Sequence, residues 1–215
     1  METGVTLFGT AQNTTVKDLN FICFGSPRCG TSMVAGAMCG LGINMGDDLP
    51  VNVEDPMFNP HVTDMSRSDF LRQIKSTIQN RRNSGAVWGW KFPRAVSYLP
   101  AIKDDLPNPR LVIVYRDPVP AVIRAGRGRK QSADFDDISY KSIDECIRTY
   151  RRNIELAREW RCPTFLVSYE RASQMPETFL QELSEFCGLK MPEDTSSIID
   201  FMKPGSYKNP LDIKI

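Results

Sequence analysis

Gly25-Ser26-Pro27-Arg28-Cys29-Gly30-Thr31-Ser32 lies between a short apolar run and a helical pattern, and its reading decides the fold. From Gly25 to Gly30 it has the spacing G-x-x-x-x-G, which lets successive backbone N–H groups turn inward on a phosphate. A loop that holds a nucleoside triphosphate continues with lysine and then serine or threonine. The lysine reaches the terminal phosphates and the hydroxyl holds Mg²⁺. This chain continues directly with Thr31-Ser32, and its cation, Arg28, lies inside the loop. The loop is therefore built for a different anion.

Before the loop, Phe21-Ile22-Cys23-Phe24 has the unbroken apolar character of a fully buried parallel strand. After it, Thr31 to Leu41 predicts a helix with Met33, Val34, Ala37, Met38 and Leu41 on one face and Gly40 and Gly42 at its close. Asp47 to Pro60 is rich in turn formers and predicts an irregular excursion, and Ser66 to Arg82 an exposed helix. Val87 to Phe92 predicts a second strand, Leu111 to Tyr115 a third and Thr164 to Tyr169 a fourth. Ile138 to Trp160 and Pro176 to Cys187 predict further helices, the latter capped by Gly188. Strands alternating with helices imply an α/β fold: a three-layer P-loop-type domain with a central parallel sheet flanked by helices. No repeat or linker divides the chain, so a single domain over residues 1–215 is expected, with 1–19 poorly ordered or peripheral.

Ligands of such sheets sit beyond the carboxyl ends of the strands. The residues after each predicted strand are Ser26 to Ser32, Lys91 to Arg94, Arg116, and Tyr169 with Glu170. They make a basic mouth of anion size, to which the N-terminus of the first helix adds its dipole. The rest of the chain has no such bias. Lys+Arg number 27 against Asp+Glu 26, so no global field draws the protein to nucleic acid. Six scattered cysteines without a C-x-x-C pair argue for a reducing compartment and against a zinc site. No signal peptide or long apolar run appears, and a soluble, cytoplasmic protein without a membrane span is expected.

The segment from Phe21 to Gly42 resembles the 5′-phosphosulfate loop of sulfotransferases, written G-x-P-[RK]-[ST]-G-T-[ST]. In order along the chain, VWGWKFPRAVSYLP, LVIVYRDPVPAVIR, FLVSYERASQMPETFLQELSEFCGL and FMKPGSYKN resemble four further blocks of that family, and the five together span most of 21–209. The resemblance implies transfer of a sulfuryl group from 3′-phosphoadenosine 5′-phosphosulfate (PAPS) to an acceptor hydroxyl or amine. The bisphosphate PAP would be the product, and no metal is demanded. It implies that Ser26, Pro27, Arg28, Cys29, Gly30, Thr31 and Ser32 hold the 5′-phosphate and that Arg116 holds the 3′-phosphate. It also implies that Tyr169 lies near the adenine and that Lys203 to Gly205 form part of a lid. Two positions depart from the family pattern. Arg124 replaces a serine that contacts the 3′-phosphate, and Cys29 replaces a serine or threonine, where it serves as a cofactor-loop residue and not as a nucleophile.

The acceptor's proton needs a base. Glu54 resembles the carboxylate that several branches of the family carry after the first helix, with its neighbour Asp55 and the sole histidine, His61, as alternatives. Lys91 is expected to stabilise charge that develops between phosphate and sulfate, as is Arg28. Bland rivals stand beside these roles. Arg116 could pair with Asp117 or Glu170, Trp88 and Trp90 share one face of a strand and belong to the core, and the basic run Arg124, Arg127, Arg129, Lys130 is by default a solvated helix end. Gln131 to Ser139 is polar and acidic and has the composition of a lid. A P-loop nucleotide or small-molecule kinase and a catalytically silent nucleotide-binding module are the competing functions; the acceptor is left open as carbohydrate, lipid or small metabolite.

Overall fold

The computed structural model describes residues 2–8, 19–62, 64–127, 140–205 and 208–213; the side chains of 124–127, 140 and 141 lie outside that description. A five-stranded sheet runs through the centre in the order β1-β5-β4-β2-β3. Its strands are β1 Gly4–Leu7, β2 Leu19–Gly25, β3 Trp88–Lys91, β4 Asn108–Tyr115 and β5 Thr164–Ser168. The middle strand, β2, is buried at every position and pairs in parallel with β3 and β4, Ile22 lying opposite both Trp90 and Leu111. Strand β5 joins β4 in parallel. The central sheet is parallel as expected, and to its edge a strand that the sequence does not announce is added, β1, which runs antiparallel to β5 with Gly4 opposite Val167.

Alternation along the strands divides the apolar side chains between two layers. On one face Phe21, Cys23, Val112, Val114, Phe165 and Val167 pack under helices α1 Thr31–Gly40, α6 Pro176–Cys187 and α7 Ser196–Met202. On the other, Ile22, Phe24, Leu111, Ile113, Trp88 and Trp90 pack under α2 Arg67–Ser84 and α4 Tyr140–Trp160. Each large side chain buried this way contributes about 1.5–3 kcal/mol of transfer free energy. Helix α2 is not the exposed element its polar sequence predicts: Ser66 caps it and Phe70, Ile74 and Ile78 are buried along one stripe. Helices α3 Pro118–Arg127 and α5 Tyr169–Gln174 complete the set.

Close packing of α7 on α1 puts the end of α7 beside the loop. Gly36 and Gly40 make the approach possible: a Cβ on Gly36 would stand 1.9 Å from Phe201, and one on Gly40 2.5 Å from Ile198. Gly40 is read from sequence as the end of α1. It is the last residue of the helix, as expected, and its further structural value is this contact.

Candidate active site

The loop after β2 takes its shape from two left-handed residues, Arg28 at φ 69° and Gly30 at φ 91°. Cys29 N–H donates to the Ser26 carbonyl at 3.1 Å and closes the turn. Helix α1 then begins without a side-chain cap, which leaves its first N–H groups for a ligand beside Gly30, Thr31 and Ser32. A cavity of about 300 Å³ opens here, lined by Pro27, Arg28, Gly30, Thr31, Ser32, Glu54, Lys91, Tyr169, Lys203 and Gly205 among others. Its apolar wall comes from Met33, Val51, Phe201 and Met202.

Lys91 ends β3 with its side chain only 2% exposed. Its ammonium donates to Glu54 Oε1 at 2.8 Å, the Asn52 carbonyl at 3.0 Å and Ser32 Oγ at 3.2 Å, which uses its three donors to tie the Asn52–Glu54 segment to the start of α1. Burial pulls the Lys91 ammonium below the usual lysine range, and the Glu54 carboxylate opposes that shift. Glu54 Oε2 accepts from Asn59 Nδ2 at 2.9 Å. The backbone before Glu54 is strained, for Val53 is a buried β-branched residue at φ 57°. Its N–H donates to the Pro50 carbonyl at 2.7 Å, a turn that swings Asn52 and Glu54 toward Lys91.

Asp55 and His61 go elsewhere. Asp55 caps the short 3₁₀ turn Pro56–Phe58 by accepting from Met57 N–H, and its other oxygen is bound by Arg81 of α2. Arg81 also donates to the Gly89 carbonyl at 2.9 Å and lies over Phe58 and Trp88. Asp55 therefore ties the excursion to α2 and β3. His61 is exposed, 5.9 Å from the Phe92 ring, and does not line the cavity. Trp88 and Trp90 are core, stacked with Phe58, and Trp90 Nε1 donates to the buried Tyr98 hydroxyl at 3.0 Å.

Tyr169 opens α5 instead of ending β5, because Ser168 accepts from Arg171 N–H and caps the helix. Its ring covers Gly30, where any Cβ would lie 2.1 Å from Cδ2. The Arg116 guanidinium stacks 4.5 Å from the centroid of that ring, donates to the Arg28 carbonyl at 3.3 Å and lies 3.8 Å from Glu170 Oε1. Arg116 does not itself line the cavity; it stands behind Arg28 and Tyr169. Ser26 and Cys29 are likewise buried behind the loop, so Cys29 can offer a ligand its backbone only. Lys203 and Gly205 lie at the rim, where Lys203 pairs with Asp200. The Arg124 side chain, Arg129, Lys130 and Gln131 to Ser139 fall outside the described residues.

One side chain that the sequence pattern does not single out connects these parts. The Tyr150 hydroxyl, on α4, donates to the Arg116 carbonyl at 2.6 Å, accepts from Arg116 N–H at 3.2 Å and meets Cys29 Sγ at 3.0 Å. It fastens the end of β4 to the underside of the loop. Asn59 and Asn52 are similarly silent in sequence, one a loop amide and the other acting through its carbonyl. Among the described residues, no group of three His, Cys, Asp or Glu side chains could hold a metal ion, and no helix is long and apolar enough to cross a membrane.

Comparison with protein families matches residues 44–193 to the family described as the sulfotransferase family. That span contains Glu54, Lys91, Arg116 and Tyr169 and begins after the phosphate loop. A search of curated proteins yields no match. Among solved structures, an unliganded sugar kinase from Janibacter sp. HTCC2649 is similar at a TM-score of 0.48 and 13% identity, covering 80% of this chain and 95% of that one.

Proposed function

This chain belongs to the sulfotransferase family, and from that premise we propose that it transfers the sulfuryl group of PAPS to a hydroxyl or amine of an acceptor. One observation carries the proposal beyond family membership: Glu54, Lys91 and Ser32 form a hydrogen-bonded array in the wall of the cavity that the lysine-free loop opens onto. An acid–base group and a cation thus stand beside an anion cradle, as a group transfer with in-line geometry requires.

The loop fits the 5′ end of the donor. Two left-handed residues, an uncapped helix start and Arg28 supply N–H groups and a cation for one phosphate. When bound, PAPS supplies the activated sulfuryl group, held as a phosphosulfate anhydride. Arg28, Thr31 and Ser32 would hold the phosphate and stabilise charge left on it. Lys91, drawn toward a lower proton affinity by burial, would neutralise charge on the bridging oxygen. Glu54 would take the acceptor's proton at a carboxylate oxygen, while Asn59 and Lys91 fix its orientation. Arg116, kept in place by Tyr150, Tyr169 and Glu170, would recognise the 3′-phosphate. Lys203 to Gly205 would cover the nucleotide at the rim. All six cysteines are free, in keeping with a reducing, cytoplasmic setting.

Calorimetric titration with PAP, with AMP and Mg-ATP as controls, tests the donor site. Micromolar binding of PAP, much weaker binding of AMP, and loss of that difference in Arg116→Ala are expected. Mg-ATP binding as tight as PAP binding would replace this proposal with a kinase. If PAP binds but PAPS is not turned over, the protein is a silent nucleotide-binding module; slow turnover of PAPS that Glu54→Gln abolishes excludes that reading.

A further inference from the structure

Cys29 lies between the two left-handed loop residues, and its side chain is turned away from the cavity into a small buried cluster with Ala121 and Val122 of α3 and Cys146 of α4. Cys146 is 6% exposed and Cys29 fully buried. Tyr150 packs against the same cluster, and its hydroxyl meets the Cys29 sulfur at 3.0 Å. Both are free. The hydroxyl's own proton goes to the Arg116 carbonyl, so toward Cys29 it acts as acceptor and the thiol donates. A serine at position 29 would make that bond equally well. What sulfur adds, with a second sulfur in the same buried cluster, is redox chemistry.

We propose that Cys29 and Cys146 are a peroxide-responsive thiol pair whose disulfide disables the phosphate loop. Cys29 and Tyr150 hold the Cys146 thiol below the usual range, while Cys146 together with burial holds Cys29 above it. Cys146 gives up its proton to solvent, its thiolate attacks one oxygen of hydrogen peroxide, the O–O bond breaks, and the hydroxide that leaves takes a proton back from solvent to become water, giving a sulfenic acid. Cys29 then attacks the sulfenic sulfur. The S–O bond breaks, the hydroxyl departs as water with the Cys29 proton, and the S–S bond forms. Two thiols lose two electrons in all, and one peroxide becomes two waters.

An S–S bond of about 2.05 Å is far shorter than any non-bonded approach of two sulfurs, so its formation draws the loop toward α4. Arg28 and Gly30 flank the displaced residue, and the S–H donor to Tyr150 disappears. Misplacement of binding groups by about 1 Å is enough to cost on the order of 100-fold in function.

The functional readout rests on the donor site proposed above; the chemical readout does not. Full-length protein is treated with hydrogen peroxide, digested and mapped by mass spectrometry, and titrated with PAP before and after reduction by dithiothreitol. A Cys29–Cys146 cross-linked peptide is expected, with PAP affinity falling about tenfold or more and returning on reduction. Cys146→Ser should bind PAP like the reduced protein and keep that affinity through peroxide. Failure of the cross-link to form while other cysteines oxidise overturns the proposal, as does a cross-linked protein that binds PAP within about twofold of the reduced form. If the reduced protein does not bind PAP at all, the donor reading fails by itself. Hydrogen exchange over residues 26–32 then decides: slowed exchange in the cross-linked form supports the switch, and unchanged exchange overturns it.

Discussion

Lys91 brings an ammonium into a position with 2% side-chain exposure, and burial lowers its proton affinity against the pull of Glu54. A lysine whose folded pKa lies below its unfolded value binds its proton less tightly in the native state. Its burden on stability is therefore full below the folded pKa and is relieved as pH rises toward the unfolded value near 10.5. Replacing both charges with Lys91→Met and Glu54→Gln removes this burden together with the chemistry. The double variant should be inactive yet more stable than the parent by about 1–4 kcal/mol in denaturant unfolding at neutral pH. That advantage should shrink as the pH is raised into the alkaline range. A double variant less stable at pH 7 would mean that the pair is structural. Gly30 poses the opposite case, since its φ of 91° disfavours any side chain and the Tyr169 ring, 2.1 Å from where a Cβ would lie, blocks one. Gly30→Ala should cost at least the ~1–2 kcal/mol of left-handed backbone, seen as a lowered melting temperature, and abolish PAP binding by displacing Tyr169.

At the scale of elements, α4 acts as a clamp through one hydroxyl. Tyr150→Phe leaves the Arg116 carbonyl and N–H and the Cys29 thiol without that partner. Each such loss is worth about 1–3 kcal/mol, so PAP affinity measured by calorimetry should fall by about tenfold or more. Cys29→Ser should bind normally under reducing conditions, and Cys29→Ala combined with Tyr150→Phe should be less than additive, because both remove one interaction. A Tyr150→Phe protein with parental PAP affinity would refute the clamp. None of this could be read from the chain, where Tyr150 is one aromatic in a charged helical stretch. The long apolar strands and the loop were legible because burial on both faces leaves an unbroken apolar run and the turn demands glycine. Strand β1 was not, being four residues long with Val5 and Thr6 exposed. Likewise Glu54 and Asp55 are neighbours with similar chemistry, and what separates them is Arg81, brought from α2 by the tertiary fold.

In the molecule as a whole, the same strands form both layers: Phe21 and Cys23 serve one face, Ile22 and Phe24 the other. Stripping either layer bares the strands that support its counterpart, so unfolding should be one cooperative event. Calorimetric and van't Hoff enthalpies should agree; two resolved transitions would divide the chain into separate units. The edge strand adds an order of events. Gly4–Leu7 is near the start of the chain, yet its ladder partner is β5, which begins at Thr164. On a ribosome Gly4–Leu7 must wait, unpaired, until β5 has emerged, and in refolding it must close the longest loop in the sheet. Strand β1 is thus made before every other strand of the sheet yet zipped last, and the growing chain carries an unpaired sticky segment until β5 follows.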